Sequence, residues 1–385
     1  MDKFYRDTWV EIDIDALTHN YQAFQDLHPQ QKMMAVIKAN AYGHGDVKIA
    51  ELFTQLGATY LAVSSLDEGL KLRHHGIATP IIVLAPVKIQ DVSVAANNHI
   101  TLIAYDEEWV EALMKKPPMQ PLKLHLEVET GMNRIGIKKV AEMYEILART
   151  PQVNVEGIYT HIASADSDLK SVEKQLEKFH QLKNQCLPNA FKYVHIANTA
   201  TTLQFDLVGI NMQRVGLGMY GINPDQHFIH SPLTLKPAFS FYSKLTQISH
   251  IKKGEGVSYG ATFVAEEDII VGTLSVGYAD GWCRKNQGRK VMANNQACEI
   301  IGRICMDQMM IKLPSTDFQV GDDVMLIGEA MPVDQVASEL QTIPYEILTL
   351  IGDRVPRVYH RNGKEVGYNL GRNERGSVDA TGTKR

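Results

Sequence analysis

Apolar and polar positions alternate in a regular way between residues 33 and 221. Short runs of apolar and β-branched residues, typical of buried strands, are separated by stretches in which apolar residues have helical spacing. Eight such runs occur: MMAVIK (33–38), TYLAVSS (59–65), PIIVLAP (80–86), ITLIAY (100–105), LKLHLEVET (122–130), VNVEGIYTH (153–161), YVHIANT (193–199) and QRVGLGMYG (213–221). Strands that alternate with helices favour parallel βα units, and eight such units close a (β/α)8 barrel. The pattern therefore predicts an α/β domain with a TIM-like barrel.

Helical spacing is clearest at 46–56, 66–76, 140–150 and 169–183. After Pro224 the pattern changes, because segments such as PAFSFYSKLTQISHI, DIIVGTLSVGYADG, EIIGRICMDQMMIKL and DDVMLIG are rich in strand formers and lack helices between them. These segments predict a second, mostly β domain. We expect the barrel over 12–235, the β domain over 236–372 together with 1–11, a helical insertion at 332–350, and a polar tail over 373–385.

Composition narrows the class of protein. The 385 residues are 44% hydrophobic and 22% charged, as in ordinary globular proteins, and the net charge is −5 without a basic stripe. This argues against a nucleic-acid partner and favours small-molecule chemistry. No apolar run is long enough to span a bilayer and the N-terminus lacks a signal-peptide core, so we expect no membrane partner and a cytoplasmic location. The four cysteines have no CxxC spacing, so no metal site or disulfide framework is indicated.

Polar residues end several of the predicted strands. In a (β/α)8 barrel the reacting groups lie at the carboxyl ends of the strands, where the loops converge. The residues at these ends are Lys38, Glu127 and Glu129 leading to Arg134, His161, Asn198 with Thr199, and Arg214. Together they predict a basic, hydrogen-bonding cavity suited to an anionic cofactor.

Lys38 is the candidate with the most distinctive chemistry. A lysine that is partly desolvated beside other cations has a lowered pKa, which Schiff-base formation requires. Position alone favours a different interpretation, a solvated lysine at the end of a strand. The surrounding motif, AVIKANAYGHG, favours the Schiff-base lysine over the solvated one.

AVIKANAYGHG closely resembles the cofactor-lysine motif of the alanine racemases. The resemblance covers nearly the whole chain, because further motifs recur in order: LAVSSLDEGLKLR, ETGMNRIG, HIASAD, ANTATTL, MQRVGLGMYG, VSYGATF, SVGYADG, GRICMDQ and RVPRVY. It implies a pyridoxal 5'-phosphate enzyme that supplies D-alanine for peptidoglycan. It also implies a homodimer in which the β domain of one subunit covers the barrel of the other.

The resemblance implies two proton-transferring bases on opposite faces of the substrate. Lys38, which forms a Schiff base with the cofactor, serves one face, and Tyr259 from the partner subunit serves the other. Arg214 is implied to hydrogen-bond the pyridine nitrogen, and His161 to join Arg214 to Tyr259. Without the resemblance, a tyrosine packed at a β turn and a satisfied buried histidine are the simpler interpretations of Tyr259 and His161.

Further residues match family positions that contact the cofactor or the substrate. The resemblance implies that Tyr42, Asn198, Thr199 and the backbone N–H groups of Gly216 and Leu217 hold the cofactor, chiefly its phosphate. Arg134 is implied to contact the phenolic oxygen and the substrate. The Met306 N–H is implied to meet the substrate carboxylate, with Tyr278 lining the channel and Asp307 at its entrance; core or loop roles remain open for Tyr278 and Asp307.

Two positions depart from the family pattern. Glu127 stands where many relatives have a carbamylated lysine, and we hypothesise that its carboxylate supplies the same negative charge beside Arg134. Asp353 stands where relatives commonly have a tyrosine at the cofactor phosphate. Since phosphate repels a carboxylate, we expect Asp353 to turn away or to pair with Arg354 or Arg357. Either arrangement leaves a roomier or differently ordered site, for which serine is a second substrate to assay.

Two other functions share some of these features. A barrel-type pyridoxal-phosphate decarboxylase has a lysine on the first strand and a β domain, but it offers an acidic partner to the ring nitrogen, where Arg214 stands here. A single-domain cofactor-binding homeostasis protein lacks the β domain and its tyrosine. Carbon dioxide release or a lack of turnover would separate these alternatives from racemisation.

Overall fold

The structure is a computed structural model that describes residues 4–165, 167–205, 208–224 and 231–371. The predicted polar tail at 373–385 lies outside these residues. The chain forms two compact units. The barrel unit comprises Thr18–Ala41 and Asp46–Lys236, and the sheet unit comprises Met1–Leu17, Tyr42–Gly45 and Pro237–Arg385.

The first strand of the chain, β1 (Thr8–Asp13), belongs to the sheet unit. The next eight form a closed parallel barrel in sequence order: β2 (Lys32–Val36), β3 (Tyr60–Val63), β4 (Ile81–Val83), β5 (Ile100–Ala104), β6 (Leu122–Glu127), β7 (Val153–Tyr159), β8 (Tyr193–His195) and β9 (Met212–Val215). All eight predicted strands are present, so the predicted (β/α)8 barrel is confirmed. Their residues are buried almost throughout, because the barrel interior covers one face and the helices cover the other.

The helices of this part of the chain are Ile14–Leu27, Asp46–Gln55, Leu66–His74, Val92–Asn97, Glu107–Lys115, Val140–Ala148, Leu169–Lys183 and Thr199–Gln204, with 3-10 turns at Ile89–Asp91 and Leu217–Tyr220. Side-chain oxygens of Ser65, Asp106, Asp168 and Asn198 cap four of them. The helix predicted at 169–183 has those bounds, and the other three predicted helices end one or two residues early. Helix ends are the least certain part of a prediction from spacing, and differences of one or two residues are common there.

Polar side chains fill part of the barrel interior. Tyr60, His125, Glu156, Tyr159 and His195 are each at most 7% exposed. Tyr60 on β3 contacts Glu156 on β7, and these strands lie on opposite sides of the barrel, so the contact runs through its centre. Branched apolar residues are the usual filling of such barrels, so this polar interior is a specific feature of the sequence.

The sheet unit contains β1 and the strands β10 (Phe239–Ile251), β11 (Gly256–Val257), β12 (Phe263–Val264), β13 (Ile269–Leu274), β14 (Lys290–Ala293), β15 (Gln296–Ile301), β16 (Met309–Leu313), β17 (Asp323–Ile327), β18 (Arg357–Arg361) and β19 (Lys364–Asn369). The nine-stranded sheet has the order β13-β16-β15-β14-β17-β10-β1-β18-β19, and β10 also pairs with β13. β11 and β12 form a separate hairpin. The predicted mostly β second domain is confirmed.

Short helical segments complete the sheet unit. Val333–Glu339 and Pro344–Leu350 lie within the segment predicted as a helical insertion, and 3-10 turns occur at Tyr259–Ala261, Tyr278–Asp280 and Arg284–Asn286. Within the described residues, none of the helices combines the length and the apolar content needed to cross a bilayer.

Candidate active site

Lys38 follows β2 and begins a turn of unusual handedness. Ala39, Asn40, Ala41 and Tyr42 have φ of 52°, 55°, 52° and 53°, so four consecutive L-residues adopt left-handed helical conformation. Such a run is rare because each Cβ approaches the following carbonyl oxygen. Backbone strain of this kind persists at functional sites when the surroundings hold it in place. The strain is concentrated directly after the predicted cofactor lysine.

Glu68 holds the start of this turn. Its Oε1 accepts the Ala39 N–H at 2.7 Å, and its Oε2 accepts the N–H groups of Ser64 and Ser65 at 2.8 and 3.2 Å. Ser65 and Glu68 form the capping box of helix Leu66–His74. One carboxylate therefore starts a helix and fixes the backbone beside Lys38.

The amine of Lys38 has a lowered pKa. Neighbouring groups of the barrel rim partly desolvate the side chain although solvent reaches it, and this desolvation is the largest cause of the lowered pKa. The charges of Arg134 and Arg214 also lower the pKa, while that of Glu68 raises it. The barrel rim therefore increases the fraction of neutral, nucleophilic amine.

Arg214 is buried and its guanidinium is held by several acceptors. Nη1 donates to His195 Nδ1 at 3.0 Å and to the His195 carbonyl at 3.1 Å, and Nη2 donates to the Thr160 carbonyl at 3.1 Å. Nη2 also lies 3.4 Å from His161 Nδ1 and 3.5 Å from the Ile196 carbonyl. Among the described residues, the Nε–H has no hydrogen-bond partner. Burial lowers the pKa of Arg214 to about 10, so it stays charged at neutral pH.

His161 lies beside Arg214 and is kept neutral. Burial is the main cause of its lowered pKa, and the charges of Arg214, Arg134 and Lys38 lower the pKa further, to about 3. Since Arg214 can only donate hydrogen bonds, His161 Nδ1 is the acceptor of this contact and Nε2 carries the proton.

Glu127 ends β6 and its carboxyl is buried. Its Oε2 accepts a hydrogen bond from the Tyr159 hydroxyl at 2.5 Å. The charges of Arg214 and Arg134 act on Glu127, but no ion pair or hydrogen bond joins Glu127 to Arg134 in the part of the chain that the structure describes. Burial raises the pKa of Glu127 to about 7, so its charge depends on pH, and its direct contact is with Tyr159. A negative charge beside Arg134 therefore stays a hypothesis.

The loop that carries Arg134 is ordered by a second carboxylate. Glu129 is 5% exposed and accepts the N–H groups of Gly131 and Asn133, the latter at 2.8 Å. Gly131 and Asn133 both have positive φ, which glycine and asparagine tolerate best. Arg134 itself is exposed, and its guanidinium has no hydrogen-bond partner among the described residues.

Asn198, Thr199 and Gly216 lie together after β8 and β9. Asn198 caps helix Thr199–Gln204 by accepting the Thr201 N–H at 2.9 Å. Thr199 Oγ1 accepts the N–H groups of Gly216 at 3.1 Å and Gly218 at 3.4 Å, which leaves its hydroxyl proton to donate elsewhere. A Cβ at Gly218 would lie 2.7 Å from the Thr199 methyl and 2.4 Å from Phe24, so only glycine permits this close approach. Leu217 is buried between the two glycines.

The other predicted residues lie in the sheet unit. Tyr42 is 5% exposed, and its ring packs against Tyr345 at 5.9 Å. Burial raises its pKa well above the usual value, so its hydroxyl keeps its proton.

Tyr259 projects from a strained loop. It is 72% exposed, and the preceding Ser258 has φ 64° and ψ −175°, a region that non-glycine residues rarely occupy. The Ser258 hydroxyl donates to the Arg303 carbonyl at 2.6 Å and lies 3.5 Å from Cys305 Sγ. These contacts fasten the Tyr259 loop to the segment that carries Met306.

The Tyr278 and Met306 segments are joined backbone to backbone. The Tyr278 and Ala279 N–H groups donate to the carbonyls of Cys305 and Met306 at 3.1 and 3.0 Å. Tyr278 is 43% and Met306 54% exposed. Three predicted residues, Tyr259, Tyr278 and Met306, therefore project from one connected group of loops.

A charge network centred on one buried carboxylate joins these loops. Asp280 is fully buried; it forms a bidentate ion pair with Arg6 and accepts Arg354 Nε at 3.0 Å. Arg354 Nη2 reaches Asp307 at 2.7 Å. Asp353 is exposed, and its charge raises the pKa of Arg357 against the lowering effect of burial. The Arg357 guanidinium donates to backbone carbonyls, including those of Gly352 and Ile351, so the pairing of Asp353 stays a prediction.

Sequence reasoning missed several residues that hold the site. The role of Glu68 could have been recognised in the sequence, because Ser65 and Glu68 have the spacing of a helix capping box. His195 and Glu156 had only a weak signal, a polar residue inside an otherwise apolar strand. Asp280 and Arg6 are 274 residues apart, so nothing local links them.

Comparisons with known proteins agree on one family. Residues 12–224 match the family model of the alanine racemase N-terminal domain and 238–359 that of the C-terminal domain. Alanine racemase of Halalkalibacterium halodurans is 42% identical over 382 residues, which cover 94% of this chain and 98% of the relative. The crystal structure of Bacillus anthracis alanine racemase with bound L-Ala-P has a TM-score of 0.89 and 39% identity, covering 95% of this chain and 98% of that one.

A neighbour with a different name has the same fold. Histidine racemase of Leuconostoc mesenteroides has a TM-score of 0.87 and 29% identity, covering 93% of this chain and 99% of that one. The matches to both domain models and the identity over nearly the full length decide the family. This chain belongs to the alanine racemase family.

Proposed function

We propose that this protein is a pyridoxal-phosphate-dependent racemase that interconverts L-alanine and D-alanine. The observation that carries the proposal is Arg214, a buried guanidinium whose Nη groups are all engaged and whose Nε–H has no partner among the described residues. When bound, pyridoxal phosphate provides an electron sink for the pair left at Cα after its proton is removed.

The residues of the barrel unit fit this cofactor by their chemistry. Lys38 offers an amine with a lowered pKa to the aldehyde, and Arg214 offers one unused donor to the ring nitrogen. Thr199 offers its hydroxyl proton, and Arg134 offers a guanidinium without a hydrogen-bond partner among the described residues. Tyr42, Asn198, Gly216 and Leu217 are proposed, from the family pattern, to complete the phosphate site. Cationic and neutral donors predominate, as an anionic ligand requires.

Lys38 is the proposed base for one face of the substrate. Its lowered pKa means that the Nζ amine holds no proton more often than an ordinary lysine does, so it can accept the α-proton and return it.

Tyr259 is the proposed base for the opposite face, contributed by a second copy of the chain. Its ring is exposed together with Tyr278 and Met306, which suits a surface that another subunit covers. Met306 is proposed to offer its backbone N–H to the substrate carboxylate, with Tyr278 beside it. His161, neutral and protonated on Nε2, is proposed to link Arg214 to this tyrosine. We therefore propose a homodimer with shared active sites.

Arg214 favours racemisation over the alternative of decarboxylation. A guanidinium cannot give up its proton at neutral pH, so it does not protonate the ring nitrogen and the sink stays weak. We expect this to restrain side reactions such as transamination, while Lys38 or Tyr259 returns a proton to Cα. The family resemblance further supports a cytoplasmic enzyme that supplies D-alanine for peptidoglycan, and the exposed Asp353 leaves serine as a second substrate to be assayed.

One experiment tests the proposal directly. The purified protein is mixed with pyridoxal phosphate, its visible spectrum is recorded, and the bound cofactor is reduced with borohydride and mapped to a peptide. The label should lie on Lys38, and L-alanine should lose optical activity without any change in mass. A colourless protein, a label on another lysine, or carbon dioxide release would contradict it. Lys71→Arg is the control variant and should still be labelled on Lys38, because Lys71 forms an ion pair with Asp46.

A further inference from the structure

A chain of buried polar side chains runs through the barrel from Arg214 to Glu156. Arg214 Nη1 contacts His195 Nδ1 at 3.0 Å, and His195 Nε2 contacts His125 Nδ1 at 2.7 Å. His125 Nε2 lies 3.7 Å from Glu156 Oε1, too far for a hydrogen bond but close enough for a charge contact. Both histidines are fully buried.

The direction of this chain follows from chemistry. Arginine can only donate, so His195 Nδ1 must be an unprotonated acceptor and the proton of His195 must lie on Nε2. That proton is donated to His125 Nδ1, which places the proton of His125 on Nε2. His125 Nε2 has no hydrogen-bond partner among the described residues, and the carboxylate of Glu156 is the acceptor it faces.

Local structure aims Glu156 into the barrel. The pairing of β6 with β7 passes from Leu124–Val155 to His125–Gly157, so Glu156 is the extra residue of a β-bulge. Bulges redirect side chains and are uncommon between parallel strands. The next residue, Gly157, lets the His125 ring pack closely, since a Cβ there would lie 2.6 Å from the ring.

Glu156 is also held in its charged form. Burial raises its pKa, but the contacts with His125 and Tyr60 and the charge of Lys123 outweigh burial and lower the pKa to about 2. The Tyr60 hydroxyl donates to Oε1, and Lys123 Nζ lies 3.5 Å from Oε2. Burial lowers the pKa of both histidines, so they remain neutral. In the row of four side chains from Arg214 to Glu156, the charges therefore lie at the two ends.

We propose that Glu156 is a remote positioning residue for Arg214. Its carboxylate holds His125 and His195 in the Nε2-protonated form, so that His195 presents an acceptor to the guanidinium. If His195 carried its proton on Nδ1, two N–H groups would face each other at 3.0 Å, and Arg214 would have to rotate. The consequence for catalysis rests on the proposed role of Arg214 at the ring nitrogen, whereas the proton positions do not.

The proton positions are measured by ¹⁵N NMR of the full-length, cofactor-loaded enzyme labelled at histidine. The chain has 14 histidines, and loss of signals in His195→Gln and His125→Gln assigns the two of interest. Both should show a protonated Nε2 and an unprotonated Nδ1. A proton on Nδ1 of either ring overturns the proposal, whatever the variants below do.

Variants then test Glu156 itself. The amide of Glu156→Gln can donate or accept, so a second form of His195 should appear, the absorption band of bound pyridoxal phosphate should shift, and kcat should fall roughly tenfold with little change in KM. Glu156→Asp keeps the charge and should retain the single form. A Glu156→Gln enzyme with one tautomer and unchanged kcat overturns the proposal.

Asp46→Asn is the matched control. Asp46 and Glu156 are both 6% exposed in their side chains, and each pairs with a lysine that is about half exposed, Lys71 or Lys123. Asp46→Asn should reduce thermal stability to a similar degree but leave the His195 signals unchanged. If cofactor trapping at Lys38 fails while the histidines show the expected protons, the proposed function is wrong and the positioning of Arg214 stands. A changed His195 signal in Asp46→Asn would show a general effect of lost stability and overturn the assignment to Glu156.

Discussion

Glu127 carries a carboxyl group whose charge depends on pH close to neutrality. Burial is the main cause of its raised pKa, which is about 7 even though the Tyr159 hydrogen bond and the charges of Arg214 and Arg134 oppose the shift. The carboxyl is neutral below this pH and ionised above it. Because the folded pKa exceeds the unfolded value of 4.5, its contribution to stability is complete below pH 4.5 and is lost as the pH rises through about 7.

We expect Glu127→Gln to remove a step in the pH dependence of catalysis. In the wild type, kcat/KM should rise as the pH passes 7, because ionised Glu127 stabilises the charges of Arg134 and Arg214. The variant should lack this rise and bind pyridoxal phosphate more weakly at pH 8. The measurement is kcat/KM from pH 5.5 to 9 together with cofactor titration. Glu142→Gln, an exposed acid, is the control, and an inflection retained in Glu127→Gln would rule out this role.

At the scale of one element, helix Leu66–His74 and the Lys38 turn share Glu68. Ser65→Ala removes the capping oxygen and should lower the free energy of unfolding by about 1 kcal/mol with little effect on activity. Glu68→Ala removes the same capping box and also frees the Ala39 N–H, so it should cost similar stability and lower kcat as well. Chemical denaturation and steady-state kinetics of both variants separate the two effects. Equal kcat in the two variants would show that Glu68 serves the helix alone.

In the left-handed turn after Lys38, we do not expect an alanine-to-glycine substitution to lower stability as it does inside a regular helix. Ala39 has φ 52° and is exposed, so Ala39→Gly relieves strain of roughly 1–2 kcal/mol, partly offset by the greater freedom of glycine in the unfolded chain. Stability should be unchanged or higher. Ala112→Gly, inside the regular helix Glu107–Lys115, should instead cost about 1 kcal/mol. Denaturant unfolding measures the free energy of unfolding of both variants. A loss for Ala39→Gly as large as that for Ala112→Gly would contradict the presence of backbone strain at Ala39.

At the scale of the whole molecule, shared sites predict complementation between inactive chains. Lys38→Ala and Tyr259→Phe should each be nearly inactive alone. If the tyrosine of one chain serves the lysine of the other, a mixed dimer has one intact site. Random assembly of equal amounts then restores about a quarter of wild-type activity. Co-expression of differently tagged chains, followed by assay, measures this. Mixed dimers without activity would place both bases in the same chain.

The barrel and its rim could be predicted because their signals are local. Apolar runs of strand length separated by helical spacing indicate βα units, and closure of the barrel brings every strand end to one face. For that reason Lys38, His161 and Arg214, which are far apart in the sequence, were predicted in one cavity, and they act on each other electrostatically in the structure. Strand lengths were overestimated, since runs such as QRVGLGMYG continue into the loop after β9.

By itself, the amino-acid sequence determined the order of elements, the eight-stranded barrel, the β domain and the identity of the groups at the strand ends, because side-chain periodicity and turn residues act over a few neighbouring positions. Only the tertiary structure decided which way those groups face and what holds them. The bulge at Glu156, the left-handed turn after Lys38 and the pair between Arg6 and Asp280 depend on partners far away in sequence. Such contacts form only when packing brings distant segments together and supplies the free energy that offsets strain and desolvation.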